Sequence, residues 1–384
     1  MHRVYSEDQS VLIETVAKFA AERILPNVMA WDEQEHFPKD LFHEMGELGL
    51  LGVLVPEQYG GSGYRYQDYV AIIEEIGAVC GGVALGVAAH NSLCTGHILQ
   101  YGSEEQKHKY LPKLASGEVI GAWGLTEPGS GSDAGGMLST AKKVDGGYLL
   151  NGTKNFITHA ISGDIAVVLV NTQPELKTKG ISAFILDKSM PGWGGGKKET
   201  KVGMRCSETA QLVMEDVFVP ESNLIGKFNE GFKQAMGVLD GGRISIAALS
   251  LGIARGAFHA ALTYSNQRKQ FNQYLSSFQA IQFKLADMAT QLEAARLLTL
   301  RAAQLKDSGK KTTVESAMAK YYASEIAVRC GEEAVQILGG YGYLRDYPAE
   351  KFWRDSKLCT IGEGTSEIQK MVIARELKKT VNHT

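Results

Sequence analysis

The chain has 384 residues, of which 44% are hydrophobic and 22% charged, and its formal net charge is −3. That length accommodates two or three domains around a large core; with a pI near 6.3 it carries no basic field of the kind nucleic acid requires. Its five cysteines, Cys80, Cys94, Cys206, Cys330 and Cys359, show neither CxxC pairing nor metal-ligand spacing, which argues against a structural metal and for free thiols in a reducing compartment.

The N-terminus, MHRVYSEDQS, enters an amphipathic pattern without the apolar core of a signal peptide, and no apolar run reaches membrane-spanning length. The expectation is a cytoplasmic protein of bacterial type, or an organelle-matrix protein if a transit peptide was removed, with no membrane contact. From about Ser6 to Ser116, apolar residues such as Val11, Phe19 and Ile24 recur at helical spacing. Pro38 reads as a first-turn proline, and Ser103 with Gln106 as a capping box.

Near Gly117 the period changes. STAKKV, YLL, NGT and KNFIT read as short strands separated by Asp-Gly and Asn-Gly turns, followed by DIAVVLV, ISAFIL and QLVMEDVFV; GWGGG around Trp193 reads as an exposed loop. Helical periodicity returns from Gly231 in three segments, Phe232–Gln267, Phe278–Asp307 and Val314–Leu338, with Thr312 and Glu315 as a capping box. Three such helices and the closing pieces suggest an up-and-down four-helix bundle. The expected fold is multi-domain α and β: an N-terminal helical domain at 1–117, a central β domain of barrel or sandwich type at 118–228, and a C-terminal helical bundle at 229–384.

Two stretches carry chemistry. IGEGTSEIQ places Glu363 between Gly362 and Gly364, which offer backbone freedom and room for a flat ligand; Ser366 with Gln369 then reads as a capping box. These nine residues fit an ordinary turn carboxylate near a helix dipole as well as a catalytic one. GAWGLTEPGSGSDAGG, from Gly121 to Gly136, resembles a dinucleotide loop in its glycines, but strands follow it instead of a helix. It reads either as a plain Gly/Ser-rich turn or as a loop presenting N–H groups and the hydroxyls of Thr126 and Ser132 to a flavin or pyrophosphate.

These stretches, with LGLLGVLVPEQYGGSG, NGTKNFIT, GMRCSET, LDGGR, RKQF and QILGGYGY in the same order, resemble the acyl-CoA dehydrogenase superfamily over essentially the whole chain. The resemblance implies helical, β and helical domains, FAD, a homotetramer with FAD near subunit interfaces, an acyl-CoA substrate in fatty acid β-oxidation, and an electron-transferring flavoprotein as partner. It implies flavin contacts at Trp123, Leu125, Thr126, Gly131 and Ser132, with Phe156, Ile157 and Thr158 against the ring; Phe156 stands where the family often has Trp. Arg268, Phe271, Gln279, Gln336, Gly339 and Gly340 match positions that reach a neighbouring subunit's FAD, and Thr365, Ser366 and Glu367 complete the flavin site, with helix N-terminal amides suited to phosphate.

For substrate, the resemblance implies Asp240, Arg243, Gly364 and Ser132; as a bare pair, Asp240 and Arg243 read as surface charges at i, i+3. Some members carry the base at or next to position 242, where this chain has Gly241 and Gly242, so the base is left to Glu363, its pKa raised by burial. Gly362 departs from a frequent Tyr and widens the acyl pocket. Glu199 lies where relatives anchor a partner, although a charge in a Lys-rich loop is usually only solvated. An oxygen-using acyl-CoA oxidase, and a non-catalytic flavoprotein of the same fold, are the alternatives.

Overall fold

The structure, a computed structural model, describes residues 7–381; the expected helix start at Ser6 and the MHRVYS segment lie outside the described residues. The N-terminal layer comprises α1 (Glu7–Phe19), α2 (Val28–Gln34), α3 (Lys39–Glu47), α4 (Tyr66–Gly77), α5 (Gly81–Ala89), α6 (Gly96–Tyr101) and α7 (Glu104–Ala115), with π-helical turns at Ala20–Ile24 and His90–Thr95. The Ser103–Gln106 capping box forms at α7. Pro38 caps α3 from outside its first turn, because its carbonyl accepts from the Leu41 amide at 3.1 Å.

The middle of the chain is one sheet of seven strands: β1 (Gly121–Gly124), β2 (Thr140–Val144), β3 (Gly147–Thr158), β4 (Ile165–Asn171), β5 (Ile181–Asp187), β6 (Trp193–Lys198) and β7 (Thr209–Pro220). The strand order is β1-β4-β2-β3-β7-β6, with β5 also on β4. Ile165, Val167 and Leu169 of β4 pack with α6 and α7 residues, while Ala166, Val168 and Val170 fill a second core beyond the sheet, the two-residue alternation of a strand buried on both faces.

Two local expectations change here. Asp145-Gly146 makes the β2–β3 hairpin, but Asn151-Gly152 does not turn: β3 runs straight through it with a register shift against β7. Asn151 exchanges side-chain bonds with Asp216, whose own φ is +45, so the Asn-Gly pair marks a β-bulge. GWGGG is not a loop but edge strand β6, paired with β7 yet mostly exposed.

The C-terminal layer contains α8 (Gly231–Gln267), a small ribbon of β8 (Lys269–Gln270) and β9 (Gln273–Tyr274), α9 (Gln279–Asp307), α10 (Thr313–Leu338), α11 (Ala349–Cys359) and α12 (Ser366–Val381). α8, α9 and α10 pack together, α11 and α12 close on α10, and α4 packs on α8, so first and last layers share one apolar core. By length and composition α8 would span a membrane, but 78% of its apolar window is buried inside the fold. The Thr312–Glu315 capping box does not form; the Thr312 hydroxyl accepts from Ser316 instead.

Candidate active site

The turn between α11 and α12 sets Glu363. Its first bonds run back to α11, Ile361 and Gly362 amides to the Leu358 carbonyl at 2.9 and 2.8 Å, and then the chain inverts: Glu363 has φ +52 and Gly364 φ +93. The left-handed residue is thus the glutamate itself, a costly conformation for a side chain of that size. Gly364 is required, since a Cβ there would stand 2.8 Å from Gln369 Nε2, whereas Gly362 has ordinary φ and would take a Cβ with nothing nearer than 3.6 Å.

Surrounding side chains hold the turn. Lys320 Nζ donates to the Gly364 carbonyl at 2.7 Å, and Gln369 Nε2 to the Gly364 and Glu363 carbonyls at 2.8 and 3.3 Å. The expected Ser366–Gln369 capping box is absent: Thr365 Oγ1 accepts from the Ile368 amide, and the Ser366 hydroxyl donates to Glu325 at 2.5 Å. Gln369 is occupied with the turn, which is why it cannot reach back to cap the helix.

The carboxyl of Glu363 is aimed at α8. A Cβ on Gly242 would lie 1.9 Å from Glu363 Oε2, so the glycine at 242 makes the space in which the carboxylate rests. Oε2 is shut off from solvent and has no hydrogen-bond partner among the described residues. Burial pushes the Glu363 pKa up from 4.5 to about 7, against the opposing pull of Lys320 and Arg243. Burial likewise pulls Lys320 down to about 8. One residue along α8, Arg243 pairs with Asp240 at 2.6 Å, and Asp240 also accepts from Thr313 at 2.7 Å. The pair is not a surface one, since Arg243 is 5% exposed.

A second group of predicted residues gathers on the sheet. Trp123 lies in β1 with its Nε1–H donating to His97 Nδ1 at 3.0 Å, which leaves the His97 Nε2–H to donate to Gln234 at 3.1 Å. After Leu125 and Thr126 the loop is pinned by Glu127, which accepts from the Leu138 and Ser139 amides and, at 2.7 Å, from buried Lys154. Burial pushes the Glu127 carboxyl up, but Lys154 and the Leu138 amide outweigh it, so it stays below the usual value. The Asn155 amide binds the Thr126 carbonyl at 2.7 Å.

The next residue, Phe156, has φ +57 at a register shift between β3 and β7 and is 63% exposed. The bulge turns its ring outward, while Ile157 is buried and Thr158 half-buried. Gly131 and Ser132 are exposed, with open space where a Cβ on Gly131 would be. An outward aromatic ring and an open run of N–H groups suit a flat, acceptor-rich ligand, so these residues fit a flavin nucleotide.

A third group stands apart. Arg268, at the end of α8, stacks on Tyr341 at 5.4 Å and lines a surface cavity of about 550 Å³ with Gln270, Gly339 and Gly340. Phe271, Gln279 and Gln336 are exposed beside it in sequence or on neighbouring turns. The stretch of α8 from Arg243 to Arg268 spans roughly 37 Å at 1.5 Å per residue, so the structure does not bring this group to Glu363 within one chain. Glu199 follows β6 and pairs with Lys197 at 3.4 Å. Lys320, Glu325, Lys154 and Glu127 escape the sequence reading, because a charge at a helix or strand position gives no sign of being buried, and Gln369 enters it only as a cap, although its five-to-six-residue link back to the turn could have suggested the role it has.

Comparison with known proteins agrees over the whole chain. Models of the N-terminal, middle and C-terminal domains of acyl-CoA dehydrogenase match residues 6–118, 122–217 and 229–378. A short-chain specific acyl-CoA dehydrogenase of Clostridium acetobutylicum is 44% identical, covering 97% of this chain and 98% of that one. The structure of butyryl-CoA dehydrogenase from Megasphaera elsdenii superposes with a TM-score of 0.96 at 44% identity, covering 98% of this chain and 100% of that one. A chain solved in work on the electron transferring flavoprotein of Acidaminococcus fermentans has the same TM-score at 46% identity, covering 98% and 99%.

Proposed function

The chain belongs to the acyl-CoA dehydrogenase family and is an FAD-dependent acyl-CoA dehydrogenase that passes its electrons to an electron-transferring flavoprotein; within that activity we propose that Glu363 removes the Cα proton of a saturated acyl thioester to give the trans-2-enoyl product. The observation that carries this is Glu363 Oε2, buried against Gly242 with no hydrogen-bond partner among the described residues. Such a group has its capacity to take a proton unspent. A pKa raised to about 7 places it where a base is both ionised and strong.

FAD supplies the hydride acceptor for Cβ, a chemistry no side chain offers, and Trp123, Leu125, Thr126, Gly131, Ser132, Phe156, Ile157 and Thr158 are the residues that would hold its ring and phosphates. The backbone N–H of Glu363 is the protein's donor to the thioester carbonyl, an interaction worth about 10²–10³ in rate by analogy with oxyanion holes. Asp240 and Arg243, locked to each other and to Thr313, line the thioester arm with Gly364 and Ser132. Relatives at 44–45% identity include short-chain specific acyl-CoA dehydrogenases and a subunit of a caffeyl-CoA reductase–Etf complex, which does not favour the oxygen-using alternative.

The distance along α8 supports a homotetramer in which Arg268, Phe271, Gln279, Gln336, Gly339 and Gly340 serve a neighbouring chain's FAD, while Thr365, Ser366 and Glu367 serve the chain's own site. Domain boundaries at 117/118 and 228/229, Glu199 as an anchor for the flavoprotein partner, and a cytoplasmic location are part of the same reading. The test is anaerobic. Yellow wild-type enzyme mixed with a panel of straight and branched acyl-CoAs should bleach, and Glu363→Gln should keep its FAD yet not bleach; a variant that bleached at near-native rate would remove Glu363 from the mechanism.

A further inference from the structure

The cysteine that precedes α5 and the one in the turn before β7 meet across the domain junction. Cys80 Sγ and Cys206 Sγ are 3.4 Å apart, 0% and 1% exposed, and unbonded to each other covalently. Cys80 is the N-cap of α5, in extended backbone (φ −148, ψ 107). Lys351 of α11 lies 4.0 Å from the same sulfur and is paired with Asp355 at 2.5 Å. A helix N-terminus and an ammonium both favour thiolate, against burial and the Asp355 carboxylate, so Cys80 is the favoured thiolate and Cys206 its S–H donor.

We propose that Cys80 and Cys206 are a peroxide-oxidisable dithiol, converted to a disulfide that ties the start of α5 to the turn before β7. The remaining three thiols have no such partner. Burial pushes Cys94 and Cys330 up to about 12 and Cys359 to about 11, whereas the Cys206 S–H holds Cys80 down at about 7. Both sulfurs are buried, so an oxidant reaches them only if the Cys206 turn opens. Val202 at its edge is 75% exposed, Met204 sits at φ +53, and Asp355 fastens the turn through the Met204 amide at 2.6 Å. One local opening therefore exposes Cys206 and uncovers Cys80 beneath it.

The chemistry balances with a hydroperoxide as oxidant. The Cys80 thiolate attacks one oxygen of hydrogen peroxide, the O–O bond breaks, and the leaving hydroxide takes up a proton as water, leaving Cys80 as sulfenic acid. The Cys206 sulfur then attacks the Cys80 sulfur; the S–O bond breaks and the hydroxyl departs as water with the Cys206 proton. Two thiols lose two electrons, and one peroxide becomes two waters.

The FAD-loaded enzyme exposed to hydrogen peroxide is the sample to test, by intact mass and by alkylation after denaturation. The expected result is loss of two hydrogens per chain, a fall in alkylatable thiols from five to three, a linked Cys80–Cys206 peptide, and reversal by dithiothreitol. Cys206→Ser should stop at a dimedone-trapped sulfenic acid on Cys80, and Cys80→Ser should leave Cys206 unoxidised, both with flavin absorbance intact as proof of folding. Five alkylatable thiols after exposure, a bridge between other cysteines, or faster trapping at Cys206 than at Cys80 would overturn the assignment.

Discussion

Glu363 is unstable by design of its surroundings, and that gives it two measurable signatures. Its folded pKa near 7 lies above its ordinary 4.5, so the folded chain binds this proton more tightly than the unfolded chain does. The associated stability is fully present below about pH 4.5 and is lost as pH rises through 7, a change on the order of 3 kcal/mol at about 1.4 kcal/mol per unit. Glu363→Gln removes the charge and keeps the shape, so it should raise stability at pH 8 by ~1–3 kcal/mol and by less than about 1 kcal/mol near pH 5. Denaturant melts at the two pH values check this, and an equal gain at both would show that the carboxyl is not strained by burial. In the wild type the same titration governs catalysis, where kcat/KM should climb with pH through an apparent pKa near 7. Gly242 is the companion residue: a methyl group 1.9 Å from Oε2 must displace the carboxylate, and a misplacement of about 1 Å costs roughly 10²-fold. Gly242→Ala is therefore expected to retain FAD and lose about two orders of magnitude in kcat.

At the scale of elements, the loop from Thr126 to Ser139 is shaped by a buried ion pair. Lys154 is 0% and Glu127 5% exposed; removing one partner leaves the other charged and dry, which costs about 3–5 kcal/mol. Lys154→Met should accordingly lower stability by that amount and weaken FAD retention, read by denaturant melts and by flavin released on gel filtration. Stable protein with tightly held FAD would separate the pair from the loop. Such a pair also shows where sequence is legible and where it is not. The three long helices announce themselves because their apolar residues repeat at the helical period, and Asp145-Gly146 turns because hydrophobic strands flank it on both sides. Asn151-Gly152 has the same turn chemistry, but β7 is a strand of twelve residues that pairs with β3 on both sides of it, and the ladder overrides the turn. β6 hides because glycines carry no strand propensity; it forms only as an edge against β7. The turn at Glu363 was visible as a motif, yet its true supports, Lys320, Glu325 and Gln369, come from side chains whose burial depends on tertiary packing.

For the whole molecule, α8 is a ruler that separates two halves of one site. Its N-terminal third carries Gly242 and Arg243 beside Glu363, and its end carries Arg268, which with Gly339 and Gly340 faces outward. An outward arginine stacked on Tyr341 is well placed for pyrophosphate, because a guanidinium makes paired charge-assisted bonds, and in the proposed assembly that pyrophosphate belongs to another chain's site. A complementation experiment decides it. Chains carrying Glu363→Gln alone or Arg268→Ala alone should each assemble into enzyme with little activity, the first for want of a base and the second for want of FAD. In a mixed pair, one of every two sites takes Glu363 from the Arg268→Ala chain and Arg268 from the Glu363→Gln chain, and is native in composition. Co-expression should therefore recover activity and bound FAD toward half of the native level in mixed pairs. Placing both substitutions in one chain and mixing it with wild type lets every Glu363→Gln site meet a wild-type Arg268 and every native base meet an altered position 268, so no site in a mixed pair is native. Recovery in the first mixture and none beyond the wild-type assemblies in the second would show that α8 hands its far end to a neighbour, whereas no recovery in the first and half-native activity in the mixed pairs of the second would place both ends of the helix in one chain's own site.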